Sequence, residues 1–496
     1  MNNTTELINK CKILPYSLTY QADKTTIEST QAEICNMAGQ YGYSDVYASL
    51  ASLWSVEQTA DYFDQIKNEL ENKRGIRTIA TCFYRAYDGG TERVNAELMK
   101  LWTEMGLNVV FLTDEPENPL DYDYPDSVKR FQIPGYDDIR GRLKTVERIC
   151  NEEHVDLFVN HNWNHPMFIW ECALLKTMGV RYVQYCHGHF AWSLSQGREG
   201  LFQNKTMKYC DLVVALSESS ARYYQMTGCE TYLLNNPVPS DLNDVVVASL
   251  ESNHVIMVGR ISWEKYPMEA MQIINIVHKA RPNIIFDIVG SGVMEKELRD
   301  YTVHNHLDEV VIFHGNKSVS EVEDLYKNSA CELLTSKMEG YSMVVLEAKA
   351  HGIPVVMYDL PYLSLVKDGK GIVTATVGNI QEMADNLVHV MDDIEYRRRL
   401  GKAARESFEA FQNYDLESNW RCILNLLSGN ETELGVSYYG QDIMLDADKY
   451  IIPIMLDQIK KSYDTLLDSS LNYRVGKKIL YIPNQLKKII KDWKQR

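Results

Sequence analysis

Short apolar runs recur along most of this chain, each followed by a small polar turn and then by a stretch rich in helix formers. They fall at 78–83, 108–113, 155–160, 182–186 and 211–217, and again at 254–258, 284–289, 310–314, 330–335 and 353–358. Strands that alternate with helices build a parallel sheet with helices on both faces. Ligands of such sheets bind beyond the carboxyl ends of the strands. Residues placed just after each run are therefore the first candidates for chemistry.

The runs divide into two sets. Between them lies Leu234-Asn235-Asn236-Pro237-Val238-Pro239, a turn or hinge, and then a linker over 240–253. The expected organisation is an α/β chain with two doubly wound domains, 75–240 and 254–410, facing a cleft. Gly401 is read as close to the end of the second unit. A helix near 413–427, within 411–430, should cross back to the first domain. Residues 1–74 read as a helical extension, either a cap on the next domain or an interaction module. Residues 431–496 form a C-terminal extension. A length of 496 residues suits about three domains of ~150.

Composition narrows the class. No run approaches the ~18 uninterrupted apolar residues of a spanning helix. The N-terminus lacks the cationic-then-apolar layout of a signal peptide. The ten cysteines show no metal-like spacing and are expected to be reduced, mostly buried thiols of a cytoplasmic protein. A net charge of −17 argues against general nucleic-acid binding.

Three segments carry candidate chemistry. In Glu339-Gly340-Tyr341-Ser342-Met343-Val344-Val345-Leu346-Glu347, two glutamates flank a strand-loop-helix corner. Free N–H groups at the helix N-terminus suit a phosphate, and the carboxylates suit sugar hydroxyls. The pair alone also fits a capped helix with two exposed glutamates. In Gly259-Arg260-Ile261-Ser262-Trp263-Glu264-Lys265, a strand-end glycine precedes two cations in one loop. Such cations can clamp a departing diphosphate; the plainer reading is a solvated loop. In Asp88-Gly89-Gly90-Thr91-Glu92-Arg93, paired glycines open a helix after the first strand and let backbone approach a ligand. His187 and His161 also follow strands. His161 and His165 are four apart, but no third ligand at matching spacing accompanies them, so no metal site is expected.

Together these segments resemble the retaining glycosyltransferases of glycosyltransferase family 4, which have the GT-B fold of two Rossmann-like domains. Ala350-His351-Gly352-Ile353-Pro354-Val355-Val356 extends the match, which covers roughly residues 76–430. The resemblance implies His187, Arg260, Lys265 and Glu339 as catalytic residues. It implies donor binding by Gly89, Gly90, Thr91, Gly259, Gly340, Tyr341, Ser342, Met343 and Glu347. Arg260, Lys265 and the N–H groups of 340–343 would stabilise the leaving diphosphate, Glu339 would hold the sugar, and Glu347 the ribose. It also implies a nucleotide-sugar donor and no cofactor or metal. Ser342 and Tyr341 depart from the family's more usual glycine and phenylalanine, which bears on the donor sugar rather than on phosphate. The expected activity is sugar transfer with retention to a glycan or lipid-linked acceptor, in polysaccharide or cell-surface glycan synthesis. The alternatives are a non-catalytic relative that scaffolds glycan assembly, and more remotely an epimerase or hydrolase.

The last 25 residues, 472–496, carry eight cations against one acid, Asp492, a net of +7. Leu486, Ile489, Ile490 and Trp493 follow helical spacing among them. A basic amphipathic tail on an acidic protein suits an anionic membrane surface, here the inner face of the cell membrane; docking on the acidic body is the alternative. Each cation near such a surface contributes about 1 kcal/mol, so binding should be reversible and salt-sensitive. In liposome flotation, the full chain should float with anionic vesicles at low salt and be released at high salt. Deleting 472–496 should abolish flotation. A full chain that ignores anionic vesicles at low salt removes the membrane assignment.

Overall fold

The computed structural model describes residues 75–430, apart from 88, 164, 166–167, 196–202 and 204–206. The expected N-terminal extension and basic tail lie outside the described residues.

The first domain runs β1 (Thr78–Cys82), α1 (Gly90–Glu104), β2 (Asn108–Thr113), β3 (Lys129–Gln132), α2 (Ile139–Glu152), β4 (Leu157–Asn160), α3 (Phe168–Thr177), β5 (Arg181–Cys186), α4 (Phe190–Ser195), β6 (Leu212–Ala215), α5 (Glu218–Met226) and β7 (Thr231–Leu233). Its seven strands lie in the order β3-β2-β1-β4-β5-β6-β7, each pair parallel. The second runs β8 (His254–Val258), α6 (Pro267–Ala280), β9 (Ile285–Val289), α7 (Glu295–His304), β10 (Val311–Gly315), α8 (Val319–Lys327), β11 (Cys331–Leu334), α9 (Met343–Ala350), β12 (Val355–Tyr358), β13 (Ile372–Ala375), α10 (Ile380–Asp392), α11 (Ile394–Gln412) and α12 (Leu416–Leu427). Its six strands, also parallel, lie in the order β10-β9-β8-β11-β12-β13. The expected pair of doubly wound, Rossmann-like domains is what the chain forms.

Strand order fixes where a site can be. In each sheet the chain winds one way from the first strand and then reverses. The reversal falls between β1 and β4 in one domain and between β8 and β11 in the other. At these switch points the loops leaving the strands part to opposite faces and open a crevice. The loop after β1 carries Gly89 and Gly90, and the residue after β4 is His161. The loop after β8 carries Gly259 to Lys265, and the loop after β11 carries Glu339 to Ser342.

The strands not foreseen are all at sheet edges or next to them. β3 is Lys-Arg-Phe-Gln and only partly buried, as an edge strand must be to resist pairing with other chains. β7 has only three residues, and β13 has four, of which only Ala375 is buried. Gly401 does not end the second domain. It lies inside α11, where an added Cβ would stand 2.4 Å from the Gly352 carbonyl oxygen. The glycine allows two segments to touch backbone to backbone.

After α11, Asp415 caps α12 by accepting from the Ser418 N–H, which sets the start of that helix at Leu416. α12 returns to the first domain. Its buried Trp420 meets Trp102 of α1 edge to face, with ring centroids 4.8 Å apart, and the Tyr232 hydroxyl donates to Asn419 at 2.8 Å. One apolar cluster therefore includes residues of both domains, from Leu98 and Trp102 to Leu346 and Ile423. Trp420→Ala should cost about 3–5 kcal/mol. A melting curve should show a clear fall for Trp420→Ala and a smaller one for Trp420→Phe; equal melting of wild type and alanine variant would contradict this packing.

Candidate active site

The two domains meet backbone to backbone where the loop before α9 crosses the end of β5. A Cβ at Gly340 would lie 1.9 Å from the His187 carbonyl oxygen and 3.0 Å from Cα of Gly188. Only glycine permits that approach. Beside it, the His189 ring packs on Tyr362 at 4.5 Å, and Trp192 stacks on Trp263 at 4.7 Å. A Cβ at Gly90 would touch Met343 Cγ at 3.2 Å. Gly90 opens α1 and Met343 opens α9, so two helix N-termini from opposite domains adjoin.

Neither N-cap residue supplies a side-chain cap, although at the start of α1 the Glu92 carboxylate folds back over Gly89 and accepts from the Glu92 N–H. Gly89 has no side chain to offer, and Ser342 makes no capping bond. Ser342 has φ 73°, in the left-handed region, which costs a non-glycine residue about 1–2 kcal/mol. The Ser342 Oγ and the Tyr341 hydroxyl are both buried without a hydrogen-bond partner. The uncapped start of α9, with unspent hydroxyls beside it and the positive end of α1 adjoining, makes an anion site.

Around it stand the predicted charges. Lys265 Nζ donates to Glu339 Oε1 at 2.6 Å. Glu339 is buried, and its N–H donates to the Tyr362 hydroxyl at 3.3 Å. Thr335 Oγ1 donates to the Lys265 carbonyl at 2.9 Å, tying the two loops together. Arg260 differs: its side chain is 65% exposed and pairs with Glu264 at 3.2 Å. Its charge nevertheless reaches Glu92 and Tyr84 of the first domain, so it faces the cleft. Thr91 lies half-buried in the first turn of α1.

Glu347, fifth residue of α9, accepts from Arg93 of α1 at 2.5 Å on Oε1, and from the Tyr326 hydroxyl at 3.4 Å on Oε2. Arg93 also donates to Asp241 at 2.5 Å. Burial pushes the Glu347 carboxyl up, while the Arg93 guanidinium pulls it down. Glu332, in the middle of β11, is fully buried with both oxygens unpaired. Burial, and then the charge of Glu347, holds its carboxyl well above the usual range.

His187 finds a partner the sequence did not pair with it. His161 Nδ1 and His187 Nε2 are 2.7 Å apart, and both rings stack on Tyr185. Burial keeps both imidazoles neutral, pushing His161 down to about 3. His165 instead stacks on Tyr136, so the spacing of four does not bring His161 and His165 into one site. Among the described residues no cluster of three or more His, Cys, Asp or Glu could hold a metal ion. All eight described cysteines are free thiols.

The structure thus gathers Gly89, Gly90, Gly340, Met343, Lys265, Glu339, Glu347 and His187 around one cleft, with Gly259 and Arg260 at its rim. It adds Arg93, Asp241, His161 and Glu332. Three of these left a trace in the sequence, His161 as a residue just after a strand. Arg93 belongs to the glycine-loop segment, and Glu332 interrupts the apolar strand Cys331-Glu332-Leu333-Leu334.

Comparison with known proteins agrees with this geometry. A family model described as Glycosyltransferase Family 4 matches residues 88–241, and one described as Glycosyl transferases group 1 matches 242–407. An uncharacterized glycosyltransferase of Haemophilus influenzae is 22% identical over 347 residues, 68% of this chain and 96% of that protein. The poly(glycerol-phosphate) alpha-glucosyltransferase of Bacillus subtilis is 26% identical over 181 residues, 35% of this chain and 26% of that protein. The Anabaena protein HepE, solved in complex with UDP and glucose, superposes with a TM-score of 0.56 at 17% identity, over 71% of this chain and 99% of that one. The last likeness shows a shared fold.

Gly340→Ala tests the approach on which the cleft depends. A backbone–backbone clash cannot be relieved by turning a side chain, so the domains must part. Small-angle scattering should show an expanded molecule. Turnover should fall by about 10²-fold, the usual consequence of displacing aligned groups by about 1 Å. Unchanged dimensions and turnover would show that the domains do not close in this way.

Proposed function

Starting from a glycosyltransferase of the group 1 and family 4 type, with the GT-B fold, we propose that this chain moves a sugar from a nucleoside-diphosphate donor to a glycan or lipid-linked acceptor, with retention of anomeric configuration. The observation that carries this reading is the meeting of two helix N-termini, at Gly90 and Met343, beside the Lys265–Glu339 pair. A diphosphate fits between the helix ends. Glu339 beside it serves the sugar, and Glu347 deeper in α9 serves the ribose. A pure scaffold has no need of a cation held next to the sugar-side carboxylate. Relatives named for transfer to glycerol-phosphate polymers and for amylovoran biosynthesis support an acceptor in surface-polysaccharide synthesis.

The chemistry follows from charge. As the anomeric C–O bond lengthens, positive charge grows on the sugar ring and negative charge on the diphosphate. Lys265, Arg260 and the α9 N–H groups stabilise the leaving diphosphate. His187, neutral and held by His161, offers a hydrogen bond to the sugar or acceptor rather than a charge. In a front-face reaction the acceptor hydroxyl attacks on the side the diphosphate leaves. Its proton passes to the departing phosphate oxygen, so no carboxylate nucleophile is required. Binding of the 472–496 tail to anionic lipid would place this reaction at the inner membrane face, near a lipid-linked acceptor.

A thermal-shift screen across UDP-, GDP-, dTDP- and ADP-sugars should identify the donor by a rise in melting temperature. With that donor, Lys265→Ala should lower turnover by about 10²–10³. Glu339→Ala should spare binding of the free nucleoside diphosphate in calorimetry yet impair transfer. Glu347→Ala should weaken the free diphosphate as well. Wild-type turnover in a folded Lys265→Ala variant would exclude that lysine from the mechanism. If both glutamate variants bind the diphosphate like wild type, the ribose assignment is wrong.

A further inference from the structure

The carboxylate assigned to the ribose belongs to the second domain, yet the cation that holds it belongs to the first. Arg93 is the fourth residue of α1, and 254 positions separate it from Glu347. Its guanidinium is nearly buried, with one arm on Glu347 and the other on Asp241 in the linker between the domains. We propose that Arg93 is a positioning residue for the nucleotide: it holds Glu347 across the cleft as a charged, correctly aimed acceptor of the ribose hydroxyls, so that the nucleotide site is complete only when the two domains are closed. This rests on the reading of Glu347 given above.

Three observations carry it. First, Glu347 and Glu332 are neighbouring buried carboxyls, and two such groups do not readily ionise together. Arg93 bonds Glu347 directly, and Glu332 has no hydrogen-bond partner. Arg93 therefore favours the charge on Glu347, whose carboxyl burial still holds above its usual value, and leaves the proton on Glu332. Second, a ribose diol donates two O–H groups, and an ionised carboxylate offers about four acceptor positions. Arg93 uses one of them, and the long Tyr326 contact makes weak use of another. Room remains for the diol without displacing the arginine. Third, Asp241 fixes the far arm of Arg93, so the fork is aimed before any ligand arrives. Because Arg93 and Glu347 come from different domains, closure strengthens nucleotide binding, and nucleotide binding must strengthen closure equally.

A competing arrangement makes the opposite prediction. If Arg93 merely occupied Glu347 in the empty enzyme, its removal would tighten nucleotide binding. Calorimetry on the full chain with UDP and GDP separates the two, using Arg93→Ala and Arg93→Lys. Positioning predicts about 10–100-fold weaker binding for alanine and partial recovery for lysine. It also predicts a new pH dependence. The groups facing Glu347 are Arg93, Asp241, Tyr326 and Glu332, with His351 stacked on Tyr326 and bonded to the Glu347 carbonyl. Without Arg93, Glu347 should stay protonated to higher pH, so alanine-variant affinity should rise as pH rises from 6 to 8 while wild type stays flat. A double-mutant cycle completes the test: in a Glu347→Gln background, Arg93→Ala should have no further effect on affinity. Equal or tighter binding by Arg93→Ala, or full additivity in the cycle, overturns the proposal. Failure of wild type to bind any nucleoside diphosphate removes the nucleotide-sugar reading, and this inference with it.

Discussion

The contact between Gly340 and the His187 carbonyl governs the geometry of this molecule. It brings the loop after β11 against the end of β5, and every candidate donor contact is arranged around it. Glu339, one residue earlier, is held to Lys265; Tyr341 and Ser342, just after, turn the chain into α9. Larger side chains could pack the interface more fully, but none could bring two main chains so near. The cleft is built from backbone proximity first and from side-chain chemistry second.

Charge in the cleft follows a consistent rule. Each candidate carboxylate has one cation from another loop or domain: Lys265 for Glu339, Arg93 for Glu347. Buried ion pairs add little to net stability, because desolvation offsets their attraction, yet losing one partner is costly. Such pairs are better understood as fixing position than as holding the fold together. The fold rests on the apolar clusters and on the ladders of the two sheets. Glu332 is the exception to the rule, a lone acid under the site that burial keeps neutral.

Much of this was legible in the sequence. The two sets of apolar runs gave the sheets, and residues directly after the runs at 78–83, 182–186, 254–258 and 330–335 proved to line the cleft. The signal was strong because function and fold are both local there: a strand end, a turn and a helix start are consecutive in the chain. What stayed hidden was non-local. Arg93 reaches Asp241 across 148 positions and His161 reaches His187 across 26, and no spacing rule connects them. The edge strands β3 and β7 were missed because edges are short or polar by physical necessity. The α12 start was placed early because Asp415 was not recognised as a cap.

Trp420 and Trp102 carry a mechanical implication. The chain passes between the domains twice, once through the segment after β7 and again before α12. Two crossings side by side behave like the two plates of a door hinge rather than like a string. They leave one easy rotation, about the line joining them, and resist sliding and twisting. The tryptophan pair is the pin at the second crossing. Any opening of the cleft must swing about that line, so its mouth lies opposite the pin.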